Sequence, residues 1–174
     1  MFTKEKIHEI VKATLVADSY SLGAHWVYDD AQLANLPIHW EALNAPQALW
    51  HKGKSAGDFT HIGDQAYWGY LFFKDQERFD KDAFLEHWLL KMQTYEGYID
   101  GATRETLANA KEGVRKGSNS HDFSVIGRIA PLLFVSSDAK TFIDNAKEFV
   151  KVTHDNGLVV ESTAFFAKLI WEVE

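Results

Sequence analysis

Gly57-Asp58-Phe59-Thr60-His61-Ile62-Gly63-Asp64-Gln65-Ala66-Tyr67-Trp68-Gly69 is the stretch on which the fold turns. It gathers two acids, a histidine, a glutamine and three glycines, and Tyr70, Phe72 and Phe73 follow at once. That pattern is a polar turn feeding a buried helix. Gly57 and Gly63 permit backbone angles closed to other residues, and the first helical turn after Gly63 leaves amide N–H groups without partners. Such a turn suits an anion or a hydrated cation. Asp64 has a second reading, as a plain cap of the helix start.

Towards the N-terminus, Thr3 is placed to cap a first helix whose Ile7, Ile10, Val11, Thr14, Leu15 and Leu22 share one face. Asp18 falls on that same face. A buried carboxylate without a partner costs several kcal/mol, so Asp18 needs a metal, an arginine or a set of N–H donors, and Arg128 is the structural partner to expect. Gly23 breaks the helix. His25, beside Trp26, reads either as an acid/base or ligand or as a hydrogen-bonded packing residue. Between Asp30 and Ser55, Pro37, Pro46 and Gly53 punctuate irregular segments that Trp40 and Trp50 are expected to anchor to the core.

Towards the C-terminus, Asp80 is placed to cap a helix with Phe84, Leu85, Trp88, Leu89, Met92 and Tyr95 inward, and Asp100 one running from Ala102 to Val114. Lys111 to Ser120, rich in Gly and Ser, is a surface loop or a ligand loop. From about Asp122 the chain is apolar nearly all round, which predicts a buried helix carrying Arg128 and kinked by Pro131. Asp138 opens a further amphipathic helix that ends near His154, Asp155 and Gly157. A last helix from about Leu158 stays apolar as far as Ile170 and Trp171. Strand-like alternation is nearly absent, so the class is all-α, a multi-helix bundle forming a single domain over 1–174.

Composition narrows the functional classes. The 18 Lys and Arg against 25 Asp and Glu give a net charge of −7, which with no basic stripe excludes nucleic acid as a natural partner. An apolar share of 46% excludes disorder. No run approaches a membrane span and the start lacks the apolar core of a signal peptide, so no membrane partner is expected. The absence of cysteine fits a reducing cytoplasm. Acids and histidines gather at helix ends: Asp18 with His25, then Asp58, His61 and Asp64, then His154 with Asp155. Hard cations such as Mg²⁺ take carboxylates and waters, which three converging helix ends can offer. There is no zinc motif, phosphate loop or dinucleotide fingerprint.

Four landmarks in order, Ala17-Asp18-Ser19-Tyr20-Ser21-Leu22-Gly23-Ala24-His25-Trp26, Gly63-Asp64-Gln65-Ala66, Arg128-Ile129-Ala130-Pro131-Leu132 and Val152-Thr153-His154, resemble the ADP-ribosylglycohydrolases, in particular the branch related to jellyfish J-crystallin. The resemblance covers most of the chain. It implies an all-α bundle with a cleft for Mg²⁺ or Mn²⁺, and hydrolysis of an N- or O-glycosidic bond to ADP-ribose in a small-molecule or ADP-ribosylated substrate. It also implies Asp64 and Asp18 as catalytic residues and metal ligands, with His25, His61, Gln65 and His154 toward the substrate.

The match departs from the family in stated places. The family's Thr-Asp-Asp-Thr stands here as Gly63-Asp64-Gln65-Ala66, so Gln65 is a neutral substitute for an acid. Asp18 stands two places earlier relative to Leu22-Gly23 than the family's acid. The family's second metal motif belongs to a C-terminal half, so this chain corresponds to the N-terminal half only. The expectation is either a partner half or self-association through the apolar end near Trp171. The alternative function is a non-catalytic binder of an ADP-ribose-like ligand, or a crystallin-like structural protein with a degenerate metal site.

Overall fold

The computed structural model describes residues 2–173, and these form a helical bundle without a named strand. Seven α-helices run in order: α1 (Lys4–Ser21), α2 (Asp30–Asn35), α3 (His61–Phe73), α4 (Lys81–Met92), α5 (Gly101–Lys111), α6 (Ala139–Val150) and α7 (Gly157–Glu172). Their starts are set locally. The side chains of Thr3, Asp80, Asp100 and Asp138 each accept from a backbone N–H three residues on, as the sequence leads one to expect.

Helix α3 is the hub. It packs on α1, on α4 and on the apolar segment that follows Asp122, while α6 and α7 form an antiparallel pair beside that segment. Phe73, Phe84, Trp88, Leu132, Phe142 and Phe149 sit in the one core cluster with almost no exposed surface. Burial of this kind contributes roughly 25 cal/mol per Å² of apolar surface removed from water. Trp171 is held there too, edge-on to Phe2 with ring centroids 5.0 Å apart. Exposed apolar side chains are Leu158, Phe165, Phe166 and Leu169 on α7 and Val173 just after it.

Four expectations change. The segment after Asp122 is not one α-helix but two 3₁₀ helices, Phe123–Arg128 and Ala130–Val135, which meet at Ile129. Pro131 has no N–H to offer the carbonyl four residues back, so the run breaks where that bond would form. Trp40 and Trp50 do not anchor the irregular segment in the core; each is 57% exposed. Helix α5 ends at Lys111 rather than Val114, and the following loop is tied down where Ser118 bridges to His154. Finally, α3 begins at His61, one turn earlier than a helix after Gly63 would, because Thr60 is its cap: its side chain accepts from the Ile62 and Gly63 N–H groups.

Candidate functional site

The cap at Thr60 places everything that follows. With Thr60 at the helix start, Gly63 lies in the first turn and Asp64 and Gln65 point in directions one residue, about 100°, apart on the helix. Gly63 does not have a left-handed backbone; it is needed for space. A Cβ there would lie 2.1 Å from Asp18 Oδ2. The Asp18 carboxylate is packed against that glycine and receives two hydrogen bonds from Thr60, from its N–H at 2.7 Å and its hydroxyl at 2.6 Å. So Asp18 is met by one N–H and one O–H donor, both from Thr60, and Arg128 is not the hydrogen-bonding partner expected for it.

Asp64 faces the other way, into a cleft of about 480 Å³. Its Oδ2 accepts from Lys54 Nζ at 2.7 Å and from the Tyr95 hydroxyl at 2.6 Å. Lys54 arrives on the loop after a short 3₁₀ helix, Leu49–His51, where Gly53 and Gly57 take left-handed φ angles of 90° and 93° that a side chain would resist. Burial, with the hydrogen bond to Asp64, pushes the Tyr95 phenol up, so it stays protonated and donates. Trp50, Tyr98, Lys52 and Glu96 complete the walls.

Behind one wall lies a stack of imidazoles and aromatics. A ring nitrogen of His25 meets one of His51 at 2.7 Å, and Trp26 stacks on both rings. Trp26 is the one non-glycine with a left-handed φ, 65°, among the described residues, a conformation that bulky side chains adopt only when packing enforces it. Burial, then the neighbouring His25 and His61, lower His51 to about 4, so it is neutral. Burial also lowers His25. His61 is buried and its Nε2 lies 3.1 Å from Asp100 Oδ2. Burial alone would raise the Asp100 carboxyl, but His61, the Arg128 charge and the Thr103 N–H together hold it well below the usual carboxylate range. Asp100 is therefore a cap of α5 and an anion for His61 at once.

Gln65 points into the core. Its Oε1 accepts from Trp88 Nε1 at 2.8 Å and from Arg128 Nη1 at 2.7 Å, and its Nε2 donates to the His61 carbonyl. His154 is fully buried, hydrogen-bonded to the Thr153 hydroxyl at 2.9 Å and lowered to about 4 by burial and the Arg128 charge. Of the residues the sequence singled out, the structure brings Asp64 to the cleft and His25 and His61 to the stack behind it. It puts Gln65 and His154 in the core and Asp18 on the far side of α3, lining a different cavity with Gly63 and Ala66. The sequence does not mark Lys54, Tyr95, His51 and Asp100 as site residues. Only Asp100 carried a local signal, its cap.

The sequence model of the family described as ADP-ribosylglycohydrolase matches residues 2–173, nearly the whole chain. The chain belongs to the ADP-ribosylglycohydrolase family. No curated protein and no solved structure matches it significantly. An ADP-ribosylglycohydrolase fold is all-α, and so is this one. The family also implies a divalent ion, and the donor set can be tested for one. Among the described residues no three His, Asp or Glu side chains converge as ligands. Asp64 is hydrogen-bonded to an ammonium, Asp18 accepts from Thr60 on each of its oxygens, and the two carboxylates open onto different cavities. These residues do not fit a carboxylate-held Mg²⁺ or Mn²⁺. No helix among the described residues is long and apolar enough to cross a membrane.

Proposed function

We propose that this ADP-ribosylglycohydrolase-family chain binds an ADP-ribosyl group in the cleft floored by Asp64 and hydrolyses its glycosidic bond. The observation that carries the reading is the convergence of a carboxylate, an ammonium and a phenol, Asp64, Lys54 and Tyr95, in a cleft of about 480 Å³, the size of a nucleotide-scale site. Cleavage of a glycosidic bond develops positive charge on the ribose ring, and the Asp64 carboxylate is the anion positioned to stabilise it. Lys54 and Lys52 supply positive charge for a diphosphate, and Trp50 and Tyr98 offer aromatic faces for a base. Tyr95, held protonated, orients the carboxylate by donating to it. The lack of cysteine supports a cytoplasmic setting for this activity.

One observation favours a second reading, a binder without turnover: Gln65, which stands where the family has an acid, is consumed by Trp88 and Arg128 in the core. The test is calorimetric titration with ADP-ribose, joined to an assay for free ADP-ribose released from N- and O-linked ADP-ribosyl substrates. Release that is lost in Asp64→Asn supports hydrolysis. Saturable binding without release supports the binder. Neither binding nor release overturns both.

A further inference from the structure

The pairing at Asp64 says more than that a carboxylate is neutralised. Both hydrogen bonds, from Lys54 and from Tyr95, go to the same oxygen, Oδ2. The lysine side chain is only 17% exposed and Asp64 18%, so this is a sheltered contact rather than a surface ion pair. The loop that delivers Lys54 is itself fastened. The Lys54 N–H donates to the His51 carbonyl at 3.1 Å, the Ser55 N–H donates to Asp58 Oδ2 at 2.6 Å, and His51 is buried. A metal ion bound to either oxygen of Asp64 would lie beside an ammonium held on the same carboxylate, and like charges in a sheltered site repel strongly.

We propose that Lys54 is the built-in cation of this cleft: its ammonium, 2.7 Å from Asp64 Oδ2, takes the position a divalent ion would require and supplies the positive charge there. The cleft then receives an anionic ligand with charge carried by the chain itself. This rests on the reading of the cleft around Asp64 as the working site, but on no assumption about turnover.

The test is a titration with Mn²⁺, followed by electron paramagnetic resonance, of the full chain and of Lys54→Met, Lys54→Gln, Asp64→Asn and Lys54→Met/Asp64→Asn, with far-UV circular dichroism to confirm that each variant is folded. The wild-type chain is expected to show no saturable Mn²⁺ binding up to about 1 mM. The Lys54 variants are expected to bind Mn²⁺ at least about tenfold more tightly, and the double variant to lose that gain. Mn²⁺ binding by the wild-type chain that disappears in Asp64→Asn overturns the proposal, and so does equal Mn²⁺ affinity in folded wild-type and Lys54 variants. Calorimetry with ADP-ribose in the presence of EDTA separates the two readings. Failure of ADP-ribose to bind removes the functional assignment, while the Mn²⁺ result still decides the role of Lys54.

Discussion

Asp64 and Gln65 are neighbours on α3, yet they serve two regions with opposite physics. At the first, a carboxylate faces an open cleft and is met by a lysine on a loop and a tyrosine from beyond α4. At the second, a neutral amide lies in the core and holds a fully buried guanidinium, whose Nε and Nη2 find no partner among the described residues, together with the indole of Trp88. The lesson lies in how charge is treated. Where a cleft lets a ligand approach, an ionic pair stands even though its two side chains are only 17% and 18% exposed, because each charge has the other as its partner. Where no cleft does, a single amide oxygen organises a buried cation, and its removal has no substitute.

That contrast can be broken first at Gln65. Gln65→Leu leaves the Arg128 guanidinium and the Trp88 N–H without their acceptor, and urea denaturation is expected to show a loss of about 3–5 kcal/mol; a loss below about 1 kcal/mol would mean that the core region is not organised around this amide. Next in size is Gly63→Ala, whose Cβ would press on Asp18 Oδ2 at 2.1 Å. A cost of about 1–3 kcal/mol is expected, read from the shift in the denaturation midpoint at constant slope.

Acid sharpens the comparison further. The unfolded chain takes up protons at His51 and His154 near pH 6.5, while the folded chain does so only near 4, so stability is full above that window and falls as pH drops from about 6.5 toward about 4. Across the whole window the loss is expected to reach at most about 3 kcal/mol per imidazole. It should shrink in His51→Phe, on the cleft side, and in His154→Gln, on the core side. If only the second variant flattens the profile, the imidazole stack behind the cleft is open to water. The Asp100 contribution has the carboxylate sign: it is present above the ordinary carboxylate range and disappears only as pH falls through its depressed value, below the histidine window. Smallest in stability is Asp64→Asn, which keeps an oxygen for Lys54 and Tyr95 to donate to and is expected to cost about 1 kcal/mol on unfolding while weakening ADP-ribose by about tenfold in calorimetry. A larger stability loss than at Gln65 would reverse the roles assigned to the two regions.

Local chemistry explains what was legible beforehand. Thr3, Asp80, Asp100 and Asp138 cap helices through N–H groups three residues away, so the cap and its partner sit in one short window of sequence. The break of the buried segment at Pro131 was likewise readable as a disturbance, though not as two 3₁₀ helices. The cleft was legible only through Asp64. Lys54 lies 10 residues from Asp64 and Tyr95 lies 31, while Arg128 lies 63 from Gln65, and no periodicity links such pairs. A Gly-Asp step has the local form of a helix cap, but Thr60 takes that place from Asp64 by starting the helix a turn earlier.

By itself the sequence determined the all-α class and most of the helix starts, because apolar periodicity and capping act over three or four residues, and its ordered motifs carried the family. Only the tertiary structure decided that Asp18 belongs to Thr60, that Gln65 belongs to Arg128 and Trp88, and that Asp64 meets a lysine. Those pairings depend on how helices cross and where a glycine-rich loop lands, and the free energy that selects them comes from burying and satisfying groups far apart in the chain.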